Sequence, residues 1–202
     1  MPSRVPDAPP LGFIAPCLPT RAPEPEPPSG RLWVHEIKHD GIRCIARKNG
    51  THARLYSRTG NDLTYRFSLI VEALARLRCR SCIIDGEAVV CDEHGIARFD
   101  RIRYRRHDGD AFIYAFDLIE LDGEDLRREP LTVRKATPAS LLSRPASGFR
   151  LNEHLDHEDG AEVFAHACRM ALRGSSPSTM TPVIPRDARC TGSSLKTPKR
   201  LQ

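Results

Sequence analysis

Residues 32–57 read LWVHEIKHDGIRCIARKNGTHARLYS, and three short runs rich in branched and aromatic residues lie within them: Leu32 to Ile37, Arg43 to Arg47 and Ala53 to Ser57. Runs of this length bounded by turn residues are strands. Asp40-Gly41 separates the first two, and Asn49-Gly50 separates the last two as a hairpin pair, because both residues tolerate positive φ. Further strands follow at Cys82 to Val90 and Ala111 to Leu118, with a turn at Asp122-Gly123. Between them, Phe67, Ile70, Val71, Leu74 and Leu77 recur at helical spacing, which predicts a helix over Tyr65 to Leu77 with Thr64 as its N-cap. Two more helices are expected, Thr132 to Leu142 and Ala161 to Leu172, the second with Val163, Phe164, Ala167, Cys168 and Ala171 on one face. The expected fold is α+β, antiparallel sheets flanked by helices, with no internal repeat.

The rest of the 202 residues divides around this region. Ten of the 17 prolines precede Arg31, so residues 1–30 are expected to form an extended Pro-rich arm. Residues 31–173 form the main domain. From Gly174 the chain runs Gly-Ser-Ser-Pro-Ser-Thr and then through three more prolines, so residues 174–202 are expected to be a disordered tail. No basic start followed by an apolar run marks a signal peptide, and no run is long enough to cross a bilayer, so a cytoplasmic location away from membranes is expected. Seven scattered cysteines lack the spacing of a disulfide framework; Cys79 and Cys82 form a C-x-x-C without a second pair, which reads as two small half-buried residues. A net charge of +5 hints only weakly at a polyanionic partner. Arg98, Arg101, Arg103, Arg105 and Arg106 concentrate that charge, either to grip a phosphate backbone or as a solvated strand face.

The chemistry concentrates in Glu36-Ile37-Lys38-His39-Asp40-Gly41-Ile42-Arg43. A lysine amine becomes a nucleophile when its surroundings lower its pKa, and a nearby arginine holds phosphate while a carboxylate or metal balances charge. An ordinary surface hairpin could share this pattern. It is followed, however, by Ser57-Arg58-Thr59-Gly60, by Asp85-Gly86-Glu87 at the end of an apolar strand, and by Phe116-Asp117 after another.

In that order and spacing the motifs resemble those of the covalent nucleotidyltransferases, and most closely the bacterial ATP-dependent DNA ligases of the repair type. The resemblance extends upstream to Phe13-Ile14-Ala15-Pro16-Cys17-Leu18-Pro19-Thr20 and downstream to Leu151-Asn152-Glu153-His154, covering about Leu11 to Leu172. It implies the ATP-grasp-like adenylation domain of those enzymes, with ATP and Mg²⁺ as cofactors and nicked double-stranded DNA as partner. By the same resemblance Lys38 would take AMP as a phosphoramidate, Arg43 and Arg58 would clamp phosphates or ribose, and Glu87 would accept from a ribose hydroxyl or hold the metal. Phe116 would stack on adenine, and the backbone around Glu36 would read its edge.

The resemblance breaks after Arg173. In the family the helix ending near Leu172 runs into Glu-Gly-Ile-Val-x-Lys, and later a Trp precedes Lys-x-Lys; both motifs are absent here. With suitable codons, Gly174 to Thr181 read one base out of register spells Ile-Val-Ser-Lys-His-Tyr-Asp. The same offset over Cys190 through Lys199 permits Tyr-Trp-Val-Lys-Phe-Lys-Asn-Pro-Lys. A single lost base near the codon for Arg173 accounts for both, and Lys196 and Lys199 then have no catalytic role. The expectation is therefore a DNA ligase adenylation domain for repair and recombination with impaired turnover, and without the OB-fold domain that closes over a nick. The alternatives are an inactive nucleic-acid- or ATP-binding remnant using the Arg98 to Arg106 patch, or an RNA ligase or capping-type transferase.

Overall fold

The computed structural model describes residues 13–16, 29–31, 33–142, 147–152, 154–155, 159, 162, 165, 183–185, 189–191 and 194–196. Its centre is a six-stranded sheet in the order β3-β2-β4-β5-β6, with β7 beside β5. These strands are β2 (Ile42–Asn49), β3 (His52–Ser57), β4 (Ser81–Val89), β5 (Phe112–Leu121), β6 (Glu124–Asp125) and β7 (Phe149–Leu151). β2 pairs antiparallel with β3 and β4, β4 with β5 and β5 with β6, while β7 runs parallel to β5. A separate three-stranded sheet has β1 (Trp33–Glu36) between β8 (His154–Leu155) and β9 (Val183–Pro185). β10 (Arg189–Thr191) and β11 (Ser194–Lys196) pair with each other. The α+β architecture is as the sequence predicts.

Side-chain alternation gives the central sheet two unlike faces. One carries Cys44 and Ala46 of β2, Leu55 of β3, Ile84 and Ala88 of β4, and Ile113, Ala115 and Leu118 of β5, all fully buried. Against it packs α1 (Ser68–Arg76) through Ile70, Ala73 and Leu74. Lys48, on the same face of β2, reaches the end of α1 and donates to the carbonyls of Ala75 (2.8 Å) and Leu77 (2.5 Å), supplying a cation where the helix leaves carbonyls unpaired. On the other face, alternate residues of β4 run Ile83, Asp85, Glu87, Val89. Ile83 joins Ile45 and Ile119 under Phe13, Ile14 and Tyr56, while Val89 joins Ala97 and Phe112. The two carboxylates lie between these apolar ends.

Several local expectations shift. The first helix starts at Ser68 rather than Tyr65, and Thr64 does not cap it: its hydroxyl accepts from the Leu55 amide at 3.1 Å, so the turn before the helix is fastened to β3. The arginine cluster does not lie on a strand. Arg98 precedes a short helix, α2 (Phe99–Arg103), and Arg105 and Arg106 follow it. The third helix, α3 (Leu131–Leu141), lies within a residue of its expected bounds. Of the helix expected over Ala161 to Leu172, all but positions 162 and 165 lies outside the described residues. In the segment expected to lack order, β9, β10 and β11 are described; β9 adds to the edge of β1, an extended edge being a ready template for a further strand. Cys44, Cys79, Cys82 and Cys91 are free thiols. Among the described residues no helix is long and apolar enough to cross a membrane.

Candidate functional site

Lys38 lies in the loop between β1 and β2, with its side chain exposed. Gly41 sets how this loop meets the sheet: a Cβ there would collide with the Ala88 carbonyl and Val89 of β4, so only glycine permits so close an approach. Gly86, between Asp85 and Glu87, has the same constraint against Ile113 and the Tyr114 carbonyl, where the β4–β5 register shifts. Each glycine in K-x-D-G and D-G-E is thus explained by backbone proximity.

From the start of β2, Arg43 extends over the open face and grips Asp85 with two bonds, Nε to Oδ1 at 3.0 Å and a terminal nitrogen to Oδ2 at 2.8 Å. Its guanidinium lies 5.0 Å from the ring centroid of Phe116, and Glu87 stands opposite it across β2 and β4. Burial pushes the Asp85 carboxyl up to about 6 despite Arg43, and the Glu87 carboxyl up to about 7. For Glu87, Arg43 and Lys38 favour the charged form while Asp85 and Asp40 oppose it, so the lysine, the arginine and three carboxylates share one electrostatic neighbourhood. Phe116 is half-buried, belongs to none of the apolar clusters, and presents its ring to this group rather than to the core.

The lysine loop is held from both flanks. Asn152, buried beside β7, donates through its amide nitrogen to the Ile37 carbonyl and the Glu36 carboxylate, both at 3.3 Å. With both amide hydrogens so placed, its oxygen at 3.0 Å accepts from His39 Nε2, which assigns that proton to Nε2. The His39 ring stacks on Tyr114 with centroids 3.7 Å apart and planes within 5°. Burial lowers the His39 pKa to about 4, so the ring is neutral near pH 7. Glu36 is buried and ion-paired with Lys135 of α3; desolvation raises its pKa and Lys135 offsets only part of the rise. The neighbouring Arg134 pairs with Asp117 and donates to the Glu129 carbonyl at 3.2 Å.

The structure therefore gathers Lys38, Arg43, Glu87 and Phe116, and places Glu36 with its side chain committed to Lys135 and Asn152. Arg58 stands apart. It is exposed in the turn after β3, and among the described residues no hydrogen bond or ion pair joins it to the group. Asp85, Asp117, Arg134, Lys135, His39 and Asn152 had no role in the sequence reading. Four of these, His39, Asp85, Asp117 and Asn152, lie within the sequence motifs themselves. Arg134 and Lys135 had no signal at all, since charged residues on a helix ordinarily face water. Among the described residues there is no cluster of three or more His, Cys, Asp or Glu that would hold a metal alone.

A lysine loop clamped over a sheet face bearing guanidinium, carboxylates and an aromatic ring is the layout of a covalent nucleotidyltransferase domain. The family model of the ATP dependent DNA ligase domain matches residues 27–173, and the chain belongs to that family. It is 37% identical over 153 residues to the multifunctional non-homologous end joining protein LigD of Pseudomonas aeruginosa, matching 74% of this chain and 18% of that protein. It is 34% identical over 162 residues to a DNA ligase of Natronomonas pharaonis, covering 73% of this chain and 29% of the relative. In structure it resembles a mycobacterial DNA ligase D complexed with ATP and MES, with a TM-score of 0.73 and 28% identity over 90% of this chain and 57% of that one. The chain thus spans about a fifth of the length of the first LigD relatives it matches, 18% and 17%.

Proposed function

We propose that the chain is the nucleotide-accepting domain of an ATP-dependent DNA ligase acting on nicked double-stranded DNA in repair and recombination, with Lys38 as the residue that takes AMP. The reading rests above all on one observation: Lys38 stands near enough to Glu87 for its charge to be felt there, on the open face that also carries Arg43 and Phe116. The Lys38 amine, once deprotonated, attacks the α-phosphorus of ATP; a nitrogen–phosphorus bond forms as the bond to pyrophosphate breaks, and pyrophosphate leaves. Arg43, oriented by Asp85, presents a fixed fork of donors to phosphate or ribose. With Arg43 over one face of Phe116, a base stacks on the other, and the backbone of β1 near Glu36 reads its edge. Arg58, exposed in its turn and joined to this group by no hydrogen bond or ion pair among the described residues, would swing to the phosphates when nucleotide binds.

Glu87 fits a hard cation, since it is an oxygen donor that burial holds above its usual pKa and that a nearby positive charge would relieve. Mg²⁺ held by Glu87 would neutralise the phosphates. The lysines that the family supplies after Arg173 are missing here, and a frame shift near that codon accounts for the loss. Fewer cations around the phosphates make adenylation slow.

Intact-mass spectrometry after incubation with ATP and Mg²⁺ tests the reading. The expected result is slow addition of one AMP, mapped to Lys38, absent from Lys38→Ala, and faster in a chain whose sequence after Arg173 is put back in frame. No adduct in either the native or the reframed chain would overturn it. Sequencing the gene tests the frame shift separately: codons for Ser175 to Met180 that cannot spell the lysine motif remove that explanation.

A further inference from the structure

The arginines at 98–106 lie where β4 leaves the site. The chain passes from Glu87 through Val89 and Val90, whose carbonyl accepts from the Arg98 amide at 3.0 Å, and enters α2. Two of the five arginines are balanced locally, Arg101 by Glu93 at 3.4 Å and Arg98 by Asp100 at 4.0 Å. Arg103, Arg105 and Arg106 have no carboxylate partner among the described residues. Arg105 adopts φ 59°, a left-handed conformation in which a side chain costs roughly 1 kcal/mol and glycine would cost less. That bend ends α2 and exposes Arg105 and Arg106 beyond it.

Two exposed aromatic rings lie on this turn and on the turn fastened to it. Tyr104 is 66% exposed and lies under the Arg103 guanidinium at 5.8 Å. Tyr65 is 92% exposed, and its neighbour Arg66 fastens that turn to the cluster by bonding the Ile102 carbonyl of α2 and both oxygens of Asp108, at 2.8 and 3.2 Å. A solvated face would need neither the rings nor the anchored bend. Unbalanced guanidinium groups beside one exposed ring, with a second ring on the turn that Arg66 fastens to α2, match the charge and the sugar and base faces of a nucleic acid.

We propose that Arg103, Arg105 and Arg106, with Tyr104 and Tyr65, form the surface that receives the DNA backbone, holding the duplex at the end of the sheet where the Lys38 loop lies. The choice of DNA rests on the ligase reading; the surface itself is tested apart from adenylation. Fluorescence anisotropy of a labelled nicked duplex with the 202-residue chain, from about 50 to about 200 mM salt, is the measurement. Arg105→Glu with Arg106→Glu is expected to weaken binding by about tenfold or more and to lower the slope of log affinity against log salt by roughly two. Arg76→Glu with Arg78→Glu makes the same charge change at the opposite end of β4 and is expected to have a much smaller effect. Should the first variant melt early, Arg103→Gln with Arg106→Gln replaces it and is expected to reduce the slope similarly. Equal losses from both reversals, no loss from the Arg105 and Arg106 pair, or no binding by the native chain would each overturn the proposal. AMP labelling of Lys38 is scored separately, so failure of the enzyme reading and failure of this surface are distinguishable.

Discussion

The two faces of the central sheet are built by the same strands to opposite ends. On the α1 face, Ile84, Ile113 and Leu118 are fully buried in a continuous apolar layer, which stabilises the domain. On the other face, one residue along each strand, Arg43, Asp85, Glu87 and Phe116 occupy the gap between two small apolar clusters. Charges that would be ruinous in the first layer are tolerated in the second because each is paired or partly open to water. A shift of one residue in register would exchange the two layers, so the pairing that builds the core also aims the site.

The largest expected contrast is at Lys38. Lys38→Ala should reduce AMP labelling to background without changing the melting temperature, since that side chain is exposed; retained labelling would move the nucleophile elsewhere. Ile84→Ala on the helix face should do the reverse, costing about 2–5 kcal/mol in urea unfolding. Phe116→Ala, in a strand just as central, should cost far less stability and weaken ATP binding instead. If both cost the same, the open face is core. Asp85→Asn leaves the half-buried Arg43 without its bidentate ionic partner and should lower ATP affinity, read by titration with ATP, because the guanidinium fork is no longer held in one orientation.

The smallest effect is pH dependence. Asp85 and Glu87 have folded pKa values of about 6 and about 7, above their ordinary 3.8 and 4.5, so the folded chain holds these protons more tightly than the unfolded one. Their contribution to stability is full below about pH 4 and is lost as pH rises through 6 and 7. His39, lowered from 6.5 to about 4, acts in the opposite sense: its contribution is present above pH 6.5 and lost as pH falls toward 4. Thermal melting across this range should show Glu87→Gln flattening the upper limb and His39→Gln the lower. An unchanged upper limb in Glu87→Gln would mean that burial does not hold that carboxyl above its usual range.

Strand existence was legible because burying one face imposes period-two alternation, and the hairpin at Asn49-Gly50 was legible because few residue pairs accept its backbone angles. Element ends were not, because propensity does not say what else a residue can bond: Thr64 looks like a helix cap and instead holds β3. The site was half visible. Lys38, Arg43, Glu87 and Phe116 stood out by motif, whereas Asn152, Lys135 and Arg134 act across 100 residues or on a helix that by itself would turn them to water.

The order of residues alone determined the alternation of the strands, and with it which side chains share a face, since that follows from the local geometry of an extended chain. It also placed a lysine after the first strand and glycines at K-x-D-G and D-G-E. Tertiary structure alone decided that α3 turns two cations inward, that Asn152 fastens the lysine loop, and that Asp85 and Glu87 hold their protons to about 6 and about 7. Those outcomes depend on desolvation and on distances between groups far apart in the chain, which the sequence does not specify locally.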